Sequence, residues 1–286
     1  MIDIVFAILS SFTFAYNVIG IRRGLQKMDY VSCSLVVSFV TCITYIPFLY
    51  FVDFSHVNIT STLLFALSGL IAPGLARLLF FQSLQKVGAL ITSSVMPSQP
   101  IISAIFAVII LSEKPPPNLW IGILAIICGA IIIETSISHN SGQKTKAAYL
   151  LLPMLGVLMG GLGDPIRKIA LNITNQPFFG TFVANLASLM LYYIVYLFQS
   201  RKIKKLTLVD FKLMWITGVV MALAWVFTFY ALSFGDVSKV APIINTQPLF
   251  VYVLAHFYPK EIGNVSLRPL VGAIIIIIGL AIFFFI

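Results

Sequence analysis

Apolar runs of about twenty residues, parted by short polar or proline-bearing breaks, repeat along the whole chain. A helix needs about 20 such residues to cross the hydrocarbon of a bilayer. Ten stretches meet that length, at roughly 2–20, 31–51, 61–83, 88–111, 118–135, 147–165, 178–198, 211–231, 238–257 and 267–286. The breaks between them, such as "SEKPPPN", "SHNSGQKTKA" and "SRKIKKLTLVD", are too short to form a soluble domain. The first run, "MIDIVFAILSSFTFAYNVIG", opens with an acid instead of a basic segment, so it reads as a span and not as a cleaved signal peptide. The pattern predicts an all-α polytopic membrane protein. Composition agrees: 60% of the 286 residues are hydrophobic and 9% are charged, where a soluble domain carries about a quarter charged residues.

The ten runs fall into two sets of five. Offsetting the chain by 148 residues aligns 80–113 with 228–261 without a gap, pairing Gln99 with Gln247, Pro100 with Pro248 and Glu113 with Glu261. Apolar matches mean little in membrane sequence, but Gln-Pro inside a span, with a glutamate thirteen residues beyond the proline, is informative. After a two-residue insertion, "GILAIICG" from Gly122 corresponds to "GAIIIIIG" from Gly272. Five spans per half is an odd number, so the halves enter the membrane in opposite senses. The expectation is ten transmembrane helices as two inverted-topology five-helix repeats, 1–137 and 138–286, in one bundle. Such repeats hold substrate near the bilayer midplane, at their interface.

The block "PGLARLLFFQSLQKVGALITSSVMPSQPIISAIFAVIILSEKP" in spans three and four, with its weaker echo "FTFYALSFGDVSKVAPIINTQPLFVYVLAHFYPKE", resembles the EamA-type carriers of the drug/metabolite transporter superfamily. The resemblance implies export or exchange of small metabolites by alternating access, through a central cavity lined by both halves. It supplies a class of mechanism and does not name a ligand.

The net charge of +9 is read through topology. Thirteen lysines and arginines follow odd-numbered spans, whereas only Lys114, Arg167, Lys168 and Lys239 follow even-numbered ones. Basic residues stay cytoplasmic, so the bias puts both termini of this cell-membrane protein on the non-cytoplasmic side, although carriers of this family are commonly drawn with both termini inside. No basic, aromatic-interleaved soluble face exists for nucleic acid. The expected partners are the bilayer and a small-molecule substrate, bound by a monomer.

One cation departs from the pattern. Arg77 reads as the only basic residue deep within a span, where an arginine costs roughly 2.5–3.5 kcal/mol on insertion scales. Pro73, four residues earlier, frees the Gly69 carbonyl from its helical bond, and Gly69, Pro73 and Arg77 share one face. A kinked, charged face suits a cavity wall better than lipid; an ion pair, a carbonyl cap or snorkelling are the structural alternatives. The offset pairs Arg77 with Trp225, so a cation facing an indole is expected, suited to a small anion or zwitterion with an apolar part. Gln99 beside Pro97 and Pro100, and Asn245 and Gln247 beside Pro248, put amides next to broken backbone at matching depths. These amides either clamp their own kinks or line the substrate path, since buried amides must be hydrogen-bonded. Tyr230 and Asn17 complete the substrate-binding candidates, and Pro73, Pro97, Pro100 and Pro248 are the expected kinks. Asp164 in "GGLGDPIRK" reads as an interfacial cap ending span six, Glu113 and Glu261 as residues fixing helix ends, and His256 as interfacial.

Several functions lack their residues. Cys33, Cys42 and Cys128 are scattered and read as small hydrophobes, and no metal or other cofactor is implied. There is no H-E-x-x-H, G-x-S-x-G or Walker loop and no paired carboxylate within a span, so no catalytic residue is expected and an intramembrane lipid enzyme is disfavoured, as is a channel. A sugar-phosphate or nucleotide-sugar exchanger, the nearest alternative carrier, would want more than one cation in the cavity. The first span lacks an internal acid, which leaves uniport or exchange level with proton antiport.

Overall fold

A computed structural model describes residues 1–87, 89–137, 147–199, 206–257 and 268–284. Their regular structure is entirely helical. The first half comprises α1 (Ile2–Leu25), α2 (Tyr30–Tyr45), α3 (Ile59–Gly69), α4 (Ala76–Lys86), α5 (Ala89–Val95), α6 (Gln99–Leu111) and α7 (Pro117–Ile137). The second comprises α8 (Leu151–Ile173), α9 (Pro177–Gln199), α10 (Leu208–Phe234), α11 (Val237–Ile244), α12 (Gln247–Phe257) and α13 (Arg268–Phe284). Among the described residues seven helical stretches are long and apolar enough to cross a membrane, two of them joining α3 to α4 and most of α5 to α6. Of the rest, α8 carries three charges, Asp164, Arg167 and Lys168, α11 and α12 are parted by a break, and α13 has 17 residues.

Helix boundaries follow local chemistry. Asp29 accepts the Val31 and Ser32 N–H groups, both at 2.9 Å, to start α2, and Thr207 with Asp210 forms a capping box at the start of α10. Large aliphatic side chains such as Ile109, Ile121, Ile216 and Ile277 stand on the outer surface, where lipid is the solvent they suit. Inside, hydroxyl groups join helices through backbone carbonyls: Thr41 donates to Gly218 at 3.0 Å and Tyr45 to Ala222 at 2.9 Å. Such polar contacts hold helices together where no water drives them together.

The most extensive helix pairing joins α7 to α13, and glycine makes it possible. A Cβ on Gly129 would lie 2.5 Å from the Gly272 carbonyl oxygen, and one on Gly272 equally 2.5 Å from that of Gly129. At the other end, a Cβ on Gly279 would lie 3.0 Å from the Gly122 oxygen. The pairs 129–272 and 122–279 exchange under the sequence correspondence of "GILAIICG" with "GAIIIIIG". The two helices therefore meet antiparallel, around a local pseudo-two-fold axis, with their backbones in contact.

This contact has no room for a methyl group. Gly129→Ala is expected to lower thermal stability in detergent by about 1–3 kcal/mol, while Cys128→Ala next door, on the exposed face, leaves it unchanged. Equal melting of both variants would show that the backbone contact is not close-packed.

Candidate functional site

The broken helices build the site. Between α3 and α4 the helical path fails at Ala72, whose φ of −143° and ψ of 119° are extended. The sequence points to a free Gly69 carbonyl; the structure instead hands the carbonyls of Ala72 and Pro73 to side chains. Tyr192 on α9 donates to Pro73 at 2.9 Å, and Arg167 on α8 donates through Nη2 to Ala72.

Arg167 is the unforeseen centre. It lies well within α8, only 2% exposed, so Arg77 is not the only basic residue deep in a span. Its Nη1 pairs with Asp164 Oδ1, while Asp164 Oδ2 accepts from Ser103 of α6 at 3.0 Å. The guanidinium lies over the Trp225 ring, 4.9 Å from its centroid, and 5.7 Å from that of Phe229. Two buried donors are left over: Arg167 Nε and Trp225 Nε1 have no hydrogen-bond partner among the described residues. Asp164 is thus a buried counter-ion, not an interfacial cap. The glycine run ahead of it allows this approach, because Cβ atoms on Gly160, Gly161 and Gly163 would strike Gln99, Ile102 and Ala72 respectively. Span six does not end at Pro165, as the charges suggest, but runs to Ile173. Beyond Arg167, Lys168 donates to the Leu232 and Gly235 carbonyls at 2.8 and 3.0 Å, completing the end of α10.

Arg77 is held loosely by comparison. It is half-buried, reaches Ser38 Oγ at 3.4 Å and Met221 Sδ at 3.9 Å, and lies 5.7 Å from the Tyr192 ring centroid. It therefore meets α10 one turn before Trp225, and the cation on the indole is Arg167.

The other two breaks repeat one hydrogen bond. Ser98 Oγ donates to the Val95 carbonyl at 2.6 Å, and Thr246 Oγ1 to that of Ile243 at 2.7 Å; both pairs are related by the 148-residue offset. These hydroxyls clamp the kinks, leaving Gln99 and Gln247 at the first positions of α6 and α12, with neither amide hydrogen-bonded among the described residues. Pro97, Pro100 and Pro248 lie in or next to these same breaks. Asn245, in contrast, turns back on its own helix and donates to Ala241 at 2.9 Å.

Asn17 is likewise committed to backbone. With its amide oriented so that both neighbours are satisfied, it donates to the Thr217 carbonyl at 2.8 Å and accepts the Met221 N–H at 3.0 Å. Those two groups are i and i+4 on α10, a rung of its hydrogen-bond ladder, which Asn17 bridges from α1. The offset matches this rung to Gly69 and Pro73, the rung that the proline breaks in the first half. Tyr230 packs at a tilt against Phe6 with centroids 5.3 Å apart; five residues beyond Trp225, it points about 140° away around the helix. Asn17, Asn245 and Tyr230 therefore each have a structural partner. Glu113 caps α11 in the other half, accepting Val237 and Ser238 N–H at 2.8 and 2.9 Å. Glu261, the His256 side chain, and the loop cations Lys144, Lys146, Arg201, Lys202, Lys204, Lys205 and Lys260 lie outside the described residues.

A family model for EamA-like transporters matches residues 1–135 and again 147–285. The chain belongs to the EamA-like transporter family. It is a multi-pass membrane protein of the drug/metabolite transporter type, with the two-repeat architecture of that family. An uncharacterized protein of Methanocaldococcus jannaschii is 27% identical over 134 residues, which is 46% of this transporter and 92% of that protein. A solved crystal structure matches with a TM-score of 0.73 at 13% identity, covering 98% of this chain and 94% of that one; the likeness shows a shared fold.

The one sequence signal for the buried centre of this EamA-like transporter is Asp164-x-x-Arg167, a spacing that pairs opposite charges on one helix face. Removing one partner of a buried ion pair costs about 3–5 kcal/mol. Asp164→Ala is therefore expected to lose stability on that scale, and the double variant Asp164→Ala/Arg167→Met to recover part of it. Additive losses in this cycle, measured by thermal melting, would contradict the pairing.

Proposed function

We propose that the chain is a ten-span secondary carrier built from inverted repeats at 1–137 and 138–286. It moves a small organic metabolite, amino-acid-like or otherwise anionic or zwitterionic, by alternating access, in export or exchange. It works as a monomer in the cell membrane, with both termini non-cytoplasmic. The observation that carries this reading is the matched pair of breaks before Gln99 and Gln247, each clamped by a hydroxyl so that the glutamine amide is not spent on its own kink. Discontinuous helices of this kind form midplane substrate sites in inverted-repeat carriers. Moving Arg167 and Lys168 from a loop into α8 only strengthens the charge bias behind the orientation.

Arg77 reads the substrate's negative group, Gln99 and Gln247 its polar atoms, and Trp225 its apolar part. Loosely held by Ser38 and Met221, Arg77 keeps N–H groups to offer, whereas Arg167 is tied to Asp164 and Ala72. Arg77, Arg167 and Asp164 together carry a formal charge of +1, which complements one negative charge. A sugar phosphate carries about two and would leave the second uncompensated.

A metabolite-library screen for ligands that raise the melting temperature of purified protein supplies the substrate. Arg77→Ala should then weaken its affinity roughly ten- to a hundredfold, the loss of a charged hydrogen bond of about 1.5–3 kcal/mol, with stability intact. Arg77→Lys should recover part of it, because an ammonium lacks the planar fork. Unchanged affinity in Arg77→Ala would return this residue to a structural role.

A further inference from the structure

The Arg167–Trp225 stack has more donors than its structural duties use. Nη1 of Arg167 is engaged by Asp164 and Nη2 by Ala72, and the guanidinium face by the indole and Phe229. Arg167 Nε and Trp225 Nε1 remain, both buried and both without an acceptor among the described residues. Buried donors left unmet are disfavoured and uncommon. Stacking alone does not call for an indole here: Phe229 already offers Arg167 a phenyl face, and a phenyl ring at 225 would bring no N–H to satisfy. Trp225 is 9% exposed, so water does not readily meet the need from outside.

We propose that Arg167 and Trp225 form a second substrate subsite, which reads an uncharged hydrogen-bond acceptor such as a carbonyl, amide or hydroxyl oxygen. The inference rests on the carrier reading above and narrows its substrate class. Arg77 touches α10 at Met221 and Arg167 lies on Trp225; four residues apart, these share a face about 6 Å apart along the helix. The two subsites thus address two groups of one small molecule. Their charges differ. Among the described residues Arg77 has no carboxylate contact, while Asp164 already neutralises Arg167, so a second anionic group there would itself be left without a counter-charge. The fitting substrate has one carboxylate and, about one helical turn away, a neutral acceptor. Asp164 acts as a positioning residue, fixing the guanidinium so that Nε and the indole N–H stay available.

Three amino acids of similar length serve as probes: glutamine with a neutral amide, glutamate with a second charge, and norleucine with no side-chain acceptor. Binding is measured by thermal shift and tryptophan emission. Wild-type protein should bind glutamine about tenfold more tightly than either of the others, and Trp225→Phe, which keeps the ring and deletes the N–H, should bring the glutamine-to-norleucine ratio close to one. In Trp120→Phe/Trp215→Phe protein, where Trp225 is the sole tryptophan, glutamine should shift the emission and norleucine should not. This second readout leaves residue 225 intact, so poor folding of Trp225→Phe does not decide the matter. A preference for glutamine that survives Trp225→Phe, an emission insensitive to glutamine, or tighter binding of glutamate overturns the subsite. If wild-type protein binds none of the three, the amino-acid-like substrate class itself falls, and this subsite falls with it.

Discussion

A guanidinium almost without solvent cannot stay where Arg167 stands unless its charge is met, and the surrounding helices are arranged to meet it and to engage both terminal nitrogens. Three elements converge on it. Asp164, one turn back on α8, supplies the counter-charge and is itself steadied by Ser103 of α6. The break between α3 and α4 supplies the Ala72 carbonyl, an acceptor that an unbroken helix would keep for itself. Trp225 and Phe229 of α10 cover the cation's face. The dependence is mutual, since the buried Ala72 carbonyl also needs a donor. Because Arg77 follows Ala72 by five residues, the interaction that settles the break also settles where Arg77 enters the bundle.

Seen across the pseudo-two-fold, the halves solve one problem with different chemistry. The rung between residues 69 and 73 is broken covalently, because proline has no N–H. Its counterpart between 217 and 221 is bridged by an amide inserted from α1. A polar side chain from α8 attends the break, and one from α1 attends the matching rung of the continuous α10. The later breaks are closer copies, with Ser98 and Thr246 making the same bond to the carbonyl three residues before. Lengthwise, α7 and α13 tie the halves together through glycines too close for side chains. A firm seam beside three broken helices is what the proposed carrier would need for one half to rock against the other without unfolding.

Much of this was legible in the sequence, and the illegible part has a common cause. Apolar run length announced the membrane helices, since the bilayer imposes a minimum on each. The repeated Gln-Pro located two of the breaks, and Pro73 a third. What could not be read were side chains whose partners are backbone groups distant in sequence. Asn17 has the composition of a ligand-binding residue, yet its amide is taken by a rung of α10 two hundred residues away. Asp164, Pro165 and Lys168 look like the end of a span and place Arg167 in a loop; nothing local shows that Ala72 awaits a donor. Pro165 removes one N–H from the ladder, yet α8 continues to Ile173, held by the packing of its glycine face against α6. Tyr230 is a substrate-binding candidate by residue type, but helical phase turns it about 140° away from Trp225.

The central claim is that the two halves exchange access to one site between them, and the paired breaks provide the most direct view of it. With Cys33, Cys42 and Cys128 replaced, single cysteines at Gln99 and at Gln247 can be challenged by an impermeant thiol reagent from each side of the membrane, with and without the ligand found by screening. The account predicts that both positions change their accessibility when ligand is added, because both face the compartment that opens and closes. Two positions equally inert from both sides under every condition would contradict it, leaving the breaks as fixed features of a static bundle.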